Sequence, residues 1–312
     1  MPTLAVRASN GPTRSAAIDP VAWTPSRCPS TTSSAKRWRG WRRISKPAMP
    51  TTPSCPLQMT DATPRPSATV VLLRDAAEAI ETYLVKRHGR TAFGNAWAFP
   101  GGVVEAIDAS VHDACTGASA NALNRLLDIP NALNYYSAAI RELFEETGVL
   151  LGTTSATPAD LETARDALND GSTTWDAFVR DAGVKLDNDA LHYVSYWITP
   201  AGLPKRFATR FFLARMPVGQ TARHCGRELV ACRWMTTTAA LLSNRDGTLP
   251  MIFPTVSTLR FLDGFATADD AIAAADELAA AGIVEMLPKA IEIDGKREIV
   301  LPGDPRYAES SS

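Results

Sequence analysis

The spacing of apolar and polar residues changes period several times along this chain, and each change marks an element. Ala68–Leu73 and Thr82–Lys86 are short apolar, β-branched runs on either side of the polar 75–79 stretch, which predicts two strands and their turn. Trp97–Phe99 leads into Gly101-Gly102. A helical period then takes over, ending at Gly148. At about 100° per residue, Leu133, Tyr136, Ile140, Leu143 and Phe144 gather on one half of this helix. Glu145 and Glu146 fall within ~60° of Glu142 on the other half. Leu161–Leu168 and Trp175–Val179 predict two short amphipathic helices. His192–Ile198, Arg206–Ala214 and Glu228–Trp234 predict strands, and Thr236–Leu242 a helix. Pro254–Phe265 predicts another helix, and Thr267-Ala268-Asp269-Asp270 caps a further run ending at Gly282. Asp294-Gly295 between Lys289–Ile293 and Lys296–Val300 signals a hairpin. The sum is a mixed α/β sandwich over residues 66–307, one domain with an extension from about 261, since no Pro/Gly-rich linker divides it.

Composition adds compartment and partners. With 45% hydrophobic residues in 312, the chain has material for one large core or two modest ones. The apolar run 271–281 is broken by Asp276 and Glu277, far short of the ~20 residues that cross a bilayer, so no membrane segment is expected. Residues 1–58 hold nine Lys or Arg against Asp19 alone, leaving 23 basic against 32 acidic residues in the remainder. An acidic body argues against nucleic acid as a bulk partner. The first 58 residues, rich in Pro, Ser and Thr and without apolar periodicity, read as disorder ahead of a patterned body that begins near Met59. An over-long start to the coding sequence accounts for them, with an organelle transit peptide and a nucleic-acid-binding arm through Trp38 and Trp41 as alternatives. Five scattered Cys and four His suggest neither a disulfide framework nor a zinc site, consistent with a reducing cytoplasm. The terminal Glu-Ser-Ser-Ser is not a peroxisomal S-K-L address.

The chemistry concentrates in Arg141-Glu142-Leu143-Phe144-Glu145-Glu146-Thr147-Gly148-Val149. Like charges at i,i+3 and i,i+4 cost roughly 0.2–0.5 kcal/mol per pair on an isolated helix, so this triple calls for a cation beyond Arg141. Oxygen-only ligands suit a hard divalent ion, Mg2+ or Mn2+. A solvated Glu face is the ordinary alternative. Upstream, Phe99-Pro100-Gly101-Gly102 leads through Glu105 to Asp108. Together the two pieces resemble the Nudix box, G-x5-E-x7-R-E-U-x-E-E-x-G-U with U aliphatic, through Gly102, Arg141, Glu142, Leu143, Glu145, Glu146, Gly148 and Val149. Asp108 stands where the box has its first Glu, and 32 residues separate it from Arg141 where the box has seven. Residues 109–134 are thus read as an insertion that leaves as a surface excursion, with a short helix near Ala118–Leu127. A split box of this kind, with Trp197–Pro200, Lys205–Ala214 and Leu301–Pro305 downstream, resembles the acyl-coenzyme A diphosphatase branch of the Nudix hydrolases. The coenzyme A signature R-x3-G-x3-F-P-G-G of another branch is met by Arg90 and Gly94, with four residues instead of three before Phe99.

The resemblance implies a Nudix-type α/β/α sandwich with a mixed sheet and a C-terminal helical and hairpin extension. It implies that Glu142, Glu145, Glu146 and the Gly101 carbonyl hold Mg2+ or Mn2+, that Arg141 orients a carboxylate, and that Asp108 is structural. For the general base, Glu145 and Glu228 are the candidates. Arg206 and Arg210, four apart on a predicted strand, share a face and are candidates for holding phosphate. The expected activity is hydrolysis of a diphosphate in a nucleoside-diphosphate derivative, with coenzyme A or acyl-coenzyme A first, yielding 3′,5′-ADP and the 4′-phosphopantetheine product. ADP-ribose, dinucleotides and NADH are rival substrates, and a non-catalytic ligand sensor is the rival class. Homodimerisation is left open by the sequence.

Overall fold

A computed structural model describes residues 62–77, 79–87, 95–224, 226, 229–293 and 296–309. Strand β1 (Arg65–Asp75) runs through the middle of the main sheet, which explains its unbroken Val70-Val71-Leu72-Leu73 run. Val70 and Leu72 point into one core while Val71 and Leu73 point into the other, all fully buried. β2 (Ile80–Arg87) returns antiparallel with Leu73 opposite Thr82. β3 (Trp97–Ala98) pairs with β2, and β4 (Gly101–Val103) pairs with β1. A 3-10 helix (Ala106–Ala114), β5 (Cys115–Thr116), α1 (Ala120–Leu127) and α2 (Leu133–Thr147) follow.

Next come β6 (Gly152–Thr153), α3 (Pro158–Asp170), α4 (Trp175–Asp181), β7 (Lys185–Asp187), β8 (His192–Ile198), β9 (Phe207–Arg215) and β10 (Leu229–Thr236). The chain closes with α5 (Thr237–Arg245), α6 (Phe253–Leu262), α7 (Ala268–Ala280), β11 (Glu285–Met286), β12 (Lys289–Ile293), β13 (Lys296–Val300) and α8 (Pro305–Glu309). The main sheet has the order β10-β2-β1-β9-β8-β11. It is mixed, since β1 and β9 run parallel while β8 and β9 run antiparallel.

One face of the sheet carries α2, whose Tyr136, Ile140, Leu143 and Phe144 are buried. The other carries α6 and α7, through Leu259, Leu262, Ala271 and Ala275. The expected α/β/α sandwich is therefore present, and the C-terminal extension forms part of its second outer layer through α7. Each large side chain buried this way contributes roughly 1.5–3 kcal/mol. The predicted capping at Thr267 is observed: its hydroxyl accepts from the Asp270 amide. The two hairpin strands pair antiparallel as read, while Asp294-Gly295 lies outside the described residues.

Residues 109–134 differ from the expected surface excursion. Val111, Leu123 and Leu127 are buried in the same core as α2. Leu123 and Leu127 stand four apart on α1, so they share one face and dock it. Residues 1–58, Arg90, Gly94, Cys225 and Glu228 lie outside the described residues. Among the described residues no helix is long and apolar enough to cross a membrane.

Candidate active site

The last two turns of α2 carry the site. Its apolar half is fixed to the sheet, and Phe144 stacks on Phe178 of α4 with ring centroids 5.0 Å apart. The polar half therefore has a set direction. Gly148 ends the helix at φ 76°, a left-handed conformation that glycine adopts without steric cost, and its N–H donates to the Phe144 carbonyl.

Arg141 is the anchor. Its Nε donates to Asp108 Oδ1 at 2.8 Å and its Nη2 to Asp108 Oδ2 at 3.2 Å and to the Val103 carbonyl at 2.9 Å. Nη1 reaches Glu142 Oε1 at 3.0 Å and Glu145 Oε2 at 3.3 Å. Burial opposes the Arg141 charge, but Asp108, Glu142 and Glu145 together hold its pKa above the ordinary arginine range. Asp108 is fully buried and also accepts from the Glu105 amide at 2.8 Å, closing a capping box at the start of the 3-10 helix. Arg141 thereby ties β4, the 3-10 helix and α2 together, bidentate on one carboxylate.

The glycine pair fits against the carboxylates. Gly101 donates its N–H to Glu146 Oε2 at 2.9 Å. A Cβ on Gly101 would overlap the Ala68 carbonyl, and one on Gly102 would overlap the Glu142 carboxylate. The missing side chain of Gly102 is thus the space that Glu142 occupies. Glu145 sits beside them with its side chain 23% exposed. Burial lifts its pKa to about 7, against the pull of Arg141 and with a further push from Glu142.

Glu105, Ile107, Arg141, Glu142 and Glu145 line one side of a cavity of about 500 Å3. Leu168 and Asn169 of α3, with Thr173, Thr174 and Trp175, line the other. Among the described residues Arg141, already bonded to Asp108, is the sole Lys or Arg in that lining. The donor set is hard oxygen throughout, which fits Mg2+ or Mn2+ and not a soft metal. Among the described residues no three acidic, His or Cys side chains already stand as a ligand shell. Glu146 is turned to the Gly101 amide, and Glu142 and Glu145 to Arg141.

Arg206 and Arg210 are elsewhere. Arg206 donates to the backbone carbonyls of Thr199 at 3.0 Å and Ala62 at 3.0 Å. Arg210 is 4% exposed, with its guanidinium carbon 4.6 Å from the Tyr135 ring and 4.2 Å from that of Tyr196. It shares a cross-strand row with Ala68 and Gly102, two strands from the latter, or roughly 10 Å at the usual strand spacing. Neither arginine lines the cavity at the carboxylates. The residues that sequence reasoning missed are the far wall, Asn169 and Thr173–Trp175, together with Arg165. Arg165 and Asn169 stand four apart on α3, a spacing that marks a shared face but not what the face meets.

The layered fold and the carboxylate helix define a Nudix-type domain. Residues 114–262 match the NUDT19 Nudix domain family, a span that takes in α2 and both arginines and begins after the glycine pair. The chain is 29% identical over 178 residues to the protein named "Putative nudix hydrolase 7" of Caenorhabditis elegans, covering 55% of this chain and 51% of that one. It thus spans about half the length of the curated relative it matches. A crystal structure of a NUDIX hydrolase from Alicyclobacillus acidocaldarius is similar at 28% identity and TM-score 0.57, covering 69% of this chain and 97% of that one. The chain is thus similar to Nudix hydrolases in its matched family, its curated relative and its fold.

Proposed function

We propose that this protein hydrolyses a diphosphate linkage in a nucleoside-diphosphate derivative, using a divalent cation at Gly101, Glu142, Glu145 and Glu146. The observation that carries this reading is the placement of three carboxylates on the last two turns of one helix: Glu142 and Glu145 are bonded to Arg141 beside the cavity, and Glu146 accepts from the Gly101 amide. A diphosphate entering that cavity brings negative charge to a wall where, among the described residues, the single cation already serves Asp108. The added cation supplies what the wall lacks. When bound, Mg2+ or Mn2+ would neutralise the phosphate oxygens as charge develops.

The chain's own residues supply the rest. Arg141 holds Glu142 and Glu145 in place, and these two, with Glu146 and the Gly101 carbonyl, would hold the cation. Glu145 is the first candidate to take a proton from the attacking water. Glu228 is the second candidate for this base. Water forms a new P–O bond, the bridging P–O bond breaks, and the leaving phosphate departs with the electron pair.

Coenzyme A and its acyl thioesters are the proposed substrates, on the split box and the Lys205–Ala214 and Leu301–Pro305 stretches. Any phosphate held by Arg206 and Arg210 would lie away from the carboxylate cavity. Mass spectrometry of the products from acyl-coenzyme A with Mg2+ tests the reading. It predicts 3′,5′-ADP and acyl-4′-phosphopantetheine with the thioester intact. Release of free coenzyme A would contradict the reaction. Inertness toward coenzyme A species beside rapid cleavage of ADP-ribose or a dinucleotide would keep the chemistry and replace the substrate. Binding without turnover of any of them would make the protein a sensor.

A further inference from the structure

Two of the carboxylates proposed to hold the cation, Glu145 and Glu146, occupy the final turn of α2, where a helix is least secure. The last four carbonyls of any helix have no partner within it, and the end carries a partial negative charge. Here the last turn has no basic residue of its own, while three carboxylates crowd the last two turns. The carbonyls of Glu145 and Glu146 belong to this group of four.

Both are met by α3. Arg165 donates from Nε to the Glu145 carbonyl at 3.0 Å and from Nη2 to the Glu146 carbonyl at 2.7 Å. Asn169, one turn further along, donates from Nδ2 to the same Glu145 carbonyl at 3.1 Å. Its amide also reaches the Arg165 carbonyl at 3.0 Å, so the two side chains form a connected pair. Arg165 Nη2 continues to the Arg223 carbonyl at 2.8 Å, which places its charge at the mouth of the helix end.

α3 has little else to do in the core. None of its side chains is buried, and Leu161, Ala164 and Leu168 only lean against the apolar cluster. Its own start is capped by Thr157 and Asp160 with Pro158 in the first turn, so its first turn is fixed locally. The polar face that it turns inward meets the backbone of the proposed metal-binding residues, and Asn169 also lines the cavity.

We propose that Arg165 and Asn169 are positioning residues for the cation site, holding the backbone of Glu145 and Glu146 so that their carboxylates stay in register. This rests on the metal-dependent reading above. The pair acts through the two glutamates, and its loss loosens the last turn of α2 and weakens cation binding before it weakens the fold. Partners that orient ligands from behind typically change metal affinity or activity by about 10–100-fold when removed.

The test uses the full chain, with Mn2+ alone as the probe. Arg165→Met and Asn169→Leu keep much of the side-chain volume and remove the donors, while Arg165→Lys keeps the charge and loses the fork. Mn2+ binding by titration calorimetry and the metal-free melting temperature are measured for each beside the parent. The expected result is a roughly 10–100-fold weaker Kd for Arg165→Met and Asn169→Leu, partial recovery in Arg165→Lys, and an Mg2+ requirement for activity that rises in parallel. A melting temperature that falls while the Mn2+ Kd stays at the parent value would overturn the proposal and leave a plain helix cap. Should Arg165→Met fail to fold, Asn169→Leu and Arg165→Lys decide by the same comparison. A parent chain that binds no Mn2+ would remove the metal reading itself, an outcome distinct from equal binding by parent and variants.

Discussion

Two buried arginines, Arg141 and Arg210, touch the same helix and are kept in opposite ways. Arg141 on α2 is 5% exposed and meets Asp108, Glu142, Glu145 and the Val103 carbonyl. Arg210 on β9 is 4% exposed and lies between the rings of Tyr135 and Tyr196. Its Nη2 donates to the Leu127 carbonyl at 3.3 Å, and its Nε is buried with no hydrogen-bond partner among the described residues. The first cation is fixed by opposite charge and directs carboxylates toward a cavity; the second is held largely by aromatic faces inside the packing. Residue type and depth are nearly the same, so function follows from the partners.

The sharpest way to break this comparison is to remove each anchor. Arg141→Met leaves Asp108 buried without its counter-charge, and breaking such a pair costs about 3–5 kcal/mol. Asp108→Asn leaves the arginine with Glu142 and Glu145 and should lose less, read as a shift in urea midpoint. Arg210→Met removes a cation without stranding a carboxylate. Its cost should be about 2 kcal/mol or less, the scale of a desolvated cation–π contact. Equal losses at the two positions would show that the partners do not set the difference.

A smaller effect is expected at Gly102. A Cβ there displaces the end of a flexible side chain, so the fold should tolerate Gly102→Ala while the Glu142 carboxylate is pushed from its seat. The Mg2+ concentration for half-maximal activity should rise by about tenfold, the low end of the range for disturbed ligand support. An unchanged Mg2+ requirement would remove Glu142 from the proposed ligand set.

The smallest expected effect is a pH slope in metal-free protein. Burial raises Glu145 to about 7 from 4.5, so the folded state holds this proton more tightly than the unfolded chain does. The stability that this contributes is fully present below about 4.5 and is lost as pH rises through about 7. Urea titrations with chelator at pH 5 and 8 should show a smaller decline for Glu145→Gln than for the parent. Identical declines would mean that Glu145 is not the group concerned.

Much of the site was legible because its signal is local. The apolar spacing from Leu133 and the stop at Gly148 give the bounds of α2, and the three glutamates follow from the same wheel. Asp108 as a structural partner was readable from its place in the box. Arg210 shows where this ends: alternation tells which face of β9 it takes, but not that Tyr135 and Tyr196 cover that face. The burial of Val111, Leu123 and Leu127 was missed because Ser, Thr, Asn and Gly around them suggest a loop, whereas two leucines four apart suffice to dock a helix. Arg165 and Asn169 were invisible for another reason. Their partners are backbone carbonyls some twenty residues away, and a carbonyl has no sequence signature.

The central claim is that Glu145 and Glu146 act through their charge on a divalent cation and not as a solvated helix face. Turnover of coenzyme A by the full chain, with Glu145→Gln and Glu146→Gln beside the parent at fixed Mg2+, tests it most directly. The account predicts folded variants, checked by their melting curves, whose kcat is lower by about 10²-fold or more, the scale of a lost catalytic carboxylate. Both variants turning over substrate at the parent rate would contradict it.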